Sequence, residues 1–113
     1  DSMTQSFAAG QAVRIEKVDT IADSLGAPLA MPLTYEVTRA YVDRIVRIAD
    51  HDMLAAMDIY QNNLRITAEP ACAASLAAIL GPLKDELTDQ QVGIIACGSN
   101  ISLDRHTALM AAL

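Results

Sequence analysis

The apolar run VGIIAC, residues 92–97, ends in a thiol and is followed by Gly98, Ser99 and Asn100. That order of side chains could do chemistry. Cys97 offers a weak, neutral hydrogen-bonding group. Gly98 has no side chain, so a ring or another backbone can come close. Ser99 and Asn100 add a hydroxyl and an amide. The set suits a flat ligand with polar edges. Each residue also has a plainer reading. A cysteine is often simply a buried small residue, and Ser99 and Asn100 are ordinary turn formers. Glu69 stands just before a helix start, where a carboxylate favours the helix dipole and need be no more than a cap.

These residues must be positioned by the elements around them. Residues 1–10 read as a short helix with Met3, Phe7 and Ala8 on one side and Gly10 as its stop. Residues 11–34 carry little periodicity, and Gly26, Pro28 and Pro32 punctuate a loop. A helix is expected over 33–42, with Thr34 as cap and Val37 and Tyr41 facing inward. The alternation in DRIVRIAD, residues 43–50, predicts a short strand with one wet face. Asp50 then reads as an N-cap. Met53, Leu54, Met57, Tyr60 and Leu64 follow at helical spacing, a packing stripe and not a cofactor box. Pro70 and Gly81 bracket an all-apolar helix, so Cys72 is expected in the core. DELTDQQ is a surface connection. A continuous apolar run such as 92–97 predicts an interior parallel strand. The tail reads as a helix capped by Ser102. His51 and His106 are expected at the surface. This order predicts an α/β unit with few parallel strands, part of a three-layer α/β/α arrangement over 1–113. Ligands of open parallel sheets bind at the carboxyl ends of strands, where Cys97 sits.

Composition narrows the function. Fourteen acidic residues against eight basic ones give a net charge of −6. No basic stripe is present to neutralise phosphates or an anionic membrane, which argues against nucleic-acid and membrane partners. Aromatics are 4% and tryptophan is absent, so the core must be built from Ala, Leu, Ile, Val and Met. Two cysteines in such a chain point to a reducing compartment, with the cytoplasm as the default. No GxGxxG, Walker A, HExxH or paired CxxC motif occurs. The sequence opens with Asp1 inside a helical pattern and is expected to be an incomplete domain.

CGSN (97–100), EPACAA (69–74) and VDTIADSLG (18–26) are similar to segments of the threonine/serine dehydratases, fold-type II pyridoxal-phosphate enzymes that include serine racemase. The three strings keep the family's order and spacing over nearly the whole chain, with Ser24 replacing a usual glycine. The resemblance implies the C-terminal portion of such an enzyme's large domain. It implies that Cys97 faces the pyridine nitrogen of pyridoxal 5'-phosphate, where a thiol leaves that nitrogen unprotonated. Gly98, Ser99 and Asn100 would complete the cofactor-binding loop, and Glu69 would border the ring. The implied reaction is β-elimination of L-threonine or L-serine to a 2-oxo acid and ammonia, with the cofactor doing the electronic work.

The family's lysine motif has no counterpart here. Lys17 and Lys84 both lie in polar surroundings, so no catalytic residue is assigned to this chain and it is expected to bind no cofactor alone. A family cation ligand aligns with Ser2, which is not acidic, and no metal ligand is assigned. Expected partners are the amino-acid substrate in the full-length enzyme, and the remainder of the large domain or a second copy in a homo-oligomer. The alternatives are a non-catalytic, self-associating structural module and a piece of a related racemase or ammonia-lyase.

Overall fold

Helix α1, Ser2–Ala9, stops where it does because Gly10 takes a left-handed conformation (φ 70°, ψ 12°). Gly10 N–H then bonds to the Phe7 carbonyl and Gln11 N–H to the Ser6 carbonyl, which ties off the last turn. The computed structural model describes residues 1–113, and they form two compact units, 1–47 and 48–113.

In the first unit α1 is followed by a long irregular stretch with a single turn of tight helix at Asp23–Leu25, and then by α2, Pro32–Tyr41. The buried face of α1 is polar. Ser2 and Ser6 are buried, Met3 and Phe7 are half-buried and Ala8 is exposed, so the expected apolar side is corrected. The serines are tolerated because each hydroxyl is used. Ser2 Oγ donates to the Ala27 carbonyl at 2.7 Å, Ser6 Oγ donates to the Ser2 carbonyl at 2.7 Å, and Ser6 Oγ accepts Val13 N–H at 3.0 Å. Reciprocal bonds, Ile15 N–H to Pro28 O and Ala30 N–H to Val13 O, make an antiparallel bridge between Arg14 and Leu29.

The start of α2 has Met31 as its cap and Pro32 in its first turn, so Thr34 is not the cap. The inward face is Tyr35, 3% exposed, whose ring meets Phe7 edge-on with centroids 5.7 Å apart. Val37 and Tyr41 are 50% and 84% exposed, the reverse of the expectation. A ten-residue helix has one buried stripe, and the larger aromatic pair took it.

The second unit is built on two helices, α3 (Asp50–Ile59) and α4 (Pro70–Leu80). Asp50 is the first residue of α3 and Ala49 its cap, one position earlier than expected. The Asp52 carboxylate reaches back to Ala49 N–H at 3.3 Å. Met53, Leu54, Ala56 and Met57 of α3 are buried, as are Cys72, Ala73 and Ala77 of α4. Small residues on α4 let the helices approach, and the flexible methionines fill the remaining space. Full burial of a side chain the size of Met57 contributes roughly 1.5–3 kcal/mol. A wider turn, Tyr60–Leu64, extends α3 and ends at Arg65 in the left-handed region (φ 59°). Tyr60 is buried there, whereas Leu64 is 60% exposed and does not continue the stripe.

Helix α5, Leu103–Met110, starts at Ser102, whose Oγ accepts Arg105 N–H at 3.2 Å, the expected cap. It packs on α3 and buries Leu109 and His106. His106, 5% exposed, is therefore a core residue and not a surface one. His51 is exposed as expected.

The parallel strands expected at 43–50 and 92–97 are not formed. Both segments are irregular, so the parallel-strand layers of the expected α/β/α arrangement are not confirmed, and the residues form helices with one isolated bridge. The reason is physical. A helix satisfies its backbone within itself, but a strand needs a neighbour to complete its hydrogen bonds. No ladder runs beside 92–97, and its apolar side chains face solvent: Val92, Ile94 and Ile95 are 41%, 38% and 77% exposed. No helix is long and apolar enough to cross a membrane.

Candidate functional site

Within the loop Cys97–Asn100, Gly98 lies against the beginning of α4, and Glu69 makes the junction. Glu69 is the cap of α4, with Pro70 as the first helical residue. Its N–H donates to the Gly98 carbonyl at 3.2 Å, and its own carbonyl accepts Ala73 N–H at 3.2 Å. Glu69 is thus fixed on both sides by backbone.

Its side chain lies over Gly98. A methyl group built on Gly98 would stand 2.2 Å from Glu69 Oε1 and 2.9 Å from Cδ. Gly98 does not have the positive φ that demands glycine, so space is what it supplies. The absent side chain leaves room for the carboxylate beside the loop. Sequence reasoning selects both residues but does not join them.

The rest of the loop is open. Cys97 is solvent-exposed, while Cys72 is buried in α4. Asn100 and Cys97 are exposed, and Ser99 is exposed as well. Ile101 N–H donates to the Ser99 carbonyl at 2.8 Å, a tight turn that leads into α5. The structure therefore brings Glu69 and Gly98 into contact and sets Cys97, Ser99 and Asn100 next to them along the chain. Lys17 lies in the first unit, paired with Asp19, and Lys84 is exposed in the turns after α4. The Lys17 ammonium holds the Asp19 carboxyl below its usual range through their hydrogen bond and charge attraction.

Two further residues belong to this neighbourhood. Tyr60 is 2% exposed, and its hydroxyl is buried without a hydrogen-bond partner. Burial pushes its phenol above the ordinary value, with the Ser75 hydroxyl working against it and the Cys72 and Cys97 thiols adding to it. Ser75 is close to Tyr60, yet its Oγ is turned toward the carbonyls of Cys72 and Ile95, each at 3.5 Å. The Tyr60 hydroxyl does not bond to Ser75. Sequence reasoning places Tyr60 on a packing stripe and passes over Ser75. The available signal is a lone hydroxyl within the apolar helix PACAASLAAIL.

With this geometry in place, comparison with known proteins is informative. The family described as pyridoxal-phosphate dependent enzyme matches residues 1–98. The phenylserine dehydratase of Ralstonia pickettii is 42% identical over 112 residues, covering 96% of this chain and 34% of that protein. The L-threo-3-hydroxyaspartate ammonia-lyase of Saccharomyces cerevisiae is 32% identical over 108 residues, covering 95% of this chain and 32% of its own length. Among solved structures, maize serine racemase superimposes with a TM-score of 0.84 at 32% identity, covering 99% of this chain and 36% of that one. The serine racemase of Dictyostelium discoideum gives a TM-score of 0.78 at 30% identity, over 91% of this chain and 33% of that one. The chain thus spans about a third of the length of the relatives it matches.

Proposed function

The chain belongs to the fold-type II family of pyridoxal-phosphate dependent enzymes, and we propose that it is the C-terminal portion of the large domain of an amino-acid dehydratase. The proposed reaction of the full-length enzyme converts a β-hydroxy-α-amino acid, such as L-threonine or L-serine, to a 2-oxo acid and ammonia. The observation that carries the site is the Glu69–Gly98 contact beside an exposed Cys97. It leaves a neutral thiol, a hydroxyl and an amide next to a loop kept narrow by glycine. That donor set fits the edge of a pyridine ring.

When bound, the pyridoxal ring supplies the electron-withdrawing system that makes the substrate's α-proton acidic. In the proposed site Cys97 faces the ring nitrogen and offers it a weak, neutral partner. Ser99 and Asn100 supply polar contacts at the loop's far side. The Glu69 carboxylate, lying over Gly98, borders the ring, while the Glu69 N–H holds the Gly98 carbonyl and seats the loop at the start of α4. The residues present suit the ring edge and nothing more. The attachment lysine and the phosphate cradle belong, in this proposal, to the remaining two-thirds of the enzyme, and the 113-residue chain alone binds no cofactor. The same remainder would supply the strands that pair with 92–97. A second copy in a homo-oligomer and a cytoplasmic location complete the proposal. A cation in this chain is not part of it, because Ser2, at the position aligned with a family cation ligand, carries no carboxylate.

The test is Cys97→Ser, Cys97→Ala and Cys97→Asp in the full-length protein, read by 2-oxo acid release and the cofactor absorption band. Serine should sustain the reaction. Alanine should slow it about fivefold, the value of one lost hydrogen bond. Aspartate should slow it further and shift the band, because a carboxylate favours a protonated ring nitrogen. If serine and aspartate behave alike while binding the cofactor normally, Cys97 does not face the ring. Release of an inverted amino acid in place of a 2-oxo acid would identify a racemase instead.

A further inference from the structure

Glu69 can border a ring only if the chain that delivers it is held still, yet residues 65–69 belong to no helix or strand. The segment is instead tied back onto the turn it leaves. Arg65 takes a left-handed conformation (φ 59°, ψ 34°) at the end of the wide turn 60–64. A non-glycine residue sits there at a cost, and such residues and wide helical turns both recur at functional sites. Past Arg65, Ile66 N–H bonds to the Tyr60 carbonyl at 3.2 Å. Ala68 N–H bonds to the Ile66 carbonyl at 3.1 Å, which makes a three-residue turn with Thr67 at its centre. Ala68 is fully buried, and the next N–H, that of Glu69, meets the Gly98 carbonyl.

Thr67 adds a side-chain tie to these backbone ones. Its Oγ1 donates to Gln61 Oε1 at 3.2 Å, and both residues are half-buried. Gln61 stands on the wide turn that extends α3, and α3 packs on α4. The bond therefore refers the short turn to the helix pair. We infer that Thr67 and Gln61 are positioning residues for Glu69: their bond fixes the turn 66–68, and the turn sets where the Glu69 N–H and carboxylate meet Gly98. Threonine suits the centre of the turn, because its branched side chain has little rotamer freedom to lose when the bond forms. The whole path, from Gln61 through Thr67 and Glu69 to Gly98, runs through bonds and contacts within the second unit.

This inference rests on the proposed reading of Glu69 at the cofactor ring, and two measurements on the full-length, cofactor-free enzyme separate them. The first is hydrogen exchange at the Glu69 amide, which reports local opening. Thr67→Val keeps the shape and removes the donor, and Gln61→Met removes the acceptor. Each should speed exchange at Glu69 about fivefold, the value of one hydrogen bond. Thr67→Ser keeps the hydroxyl and should restore the original rate. Exchange at the Ala77 amide, inside α4, should not change in any of them. The second measurement is the cofactor Kd by absorbance titration. Thr67→Val should raise it up to about fivefold, and should add nothing in a Glu69→Ala background, because its action passes through Glu69. Unchanged exchange at Glu69 in Thr67→Val and Gln61→Met overturns the inference. Equal acceleration at Ala77 also overturns it, since that is general loosening of the fold. So does a Thr67→Val effect on Kd of equal size with and without Glu69. Faster exchange at Glu69 beside an unchanged Kd in Glu69→Ala overturns the ring reading of Glu69 and supports its positioning at Gly98.

Discussion

Residues 70–80 and residues 92–97 are both apolar, and they end in opposite states. The first is a helix with Cys72, Ala73 and Ala77 buried against α3. The second is irregular and leaves Ile95 77% exposed. Hydrophobicity does not separate them. What separates them is where each finds its hydrogen bonds. The helix closes its own and then needs one packing partner, which α3 provides. The extended segment must borrow a neighbour's backbone along its whole length. The lesson is that apolar content says a segment wants burial, while its hydrogen bonding decides whether a given stretch of chain can provide it.

That contrast can be broken most directly at Met57 and Ile95. Met57 is fully buried on α3, so Met57→Ala should cost about 2–5 kcal/mol by urea denaturation of the 113-residue chain. Ile95→Ala in the same chain should stay within about 0.5 kcal/mol. In the full-length enzyme Ile95→Ala should instead approach the cost at Met57, because there 92–97 is proposed to be paired. Equal, small effects of Ile95→Ala in both forms would mean that the segment never becomes a strand.

A smaller effect is expected just outside the two regions, where Glu69 meets Gly98. Gly98→Ala places a methyl 2.2 Å from the Glu69 carboxylate. Crowding of this kind costs about 1–3 kcal/mol. The entropic gain of replacing glycine, about 0.4–1 kcal/mol, offsets part of it. The diagnostic is a double-mutant cycle, since Glu69→Ala should remove the penalty of Gly98→Ala. A penalty that survives Glu69→Ala would place the clash elsewhere.

The smallest effect tests a helix that depends on its cap. Ser102→Ala removes the acceptor for Arg105 N–H at the start of α5 and should cost about 1 kcal/mol. Ser102→Asp should recover most of it. Thermal melts of the three proteins would show whether the cap contributes as expected.

The helices are the legible part of the sequence because their stops are chemical. Gly10, Pro70, Gly81 and Ser102 mark ends that the structure keeps. Faces are harder to read. Val37 and Tyr41 point inward by spacing, yet Tyr35 is buried because Phe7, distant in sequence, meets it. The burial of Ser2 and Ser6 has no signal in the sequence, because it depends on their backbone partners, Ala27 and Val13. His106 misleads for a related reason, since its burial depends on α5 lying on α3. At the candidate site, Cys97, Gly98 and Glu69 can be chosen from their neighbours in sequence. Their mutual contact cannot, because 28 intervening residues separate Glu69 from Gly98. Tyr60 is legible as buried, whereas its buried, unpartnered hydroxyl shows only in the folded chain.

The serine-lined face of α1 has a calorimetric consequence. Exposure of apolar surface on unfolding raises the heat capacity, whereas exposure of polar surface lowers it. Melting α1 uncovers the hydroxyls of Ser2 and Ser6 and the carbonyls of Ser2 and Ala27 that they satisfy. Melting the α3–α4 pair uncovers methionine, leucine and alanine side chains. The two events therefore bend the stability curve differently. The contribution of α1, where only the Phe7–Tyr35 contact and half-buried Met3 add apolar surface, varies less with temperature than that of the methionine-packed pair, which fades toward the cold.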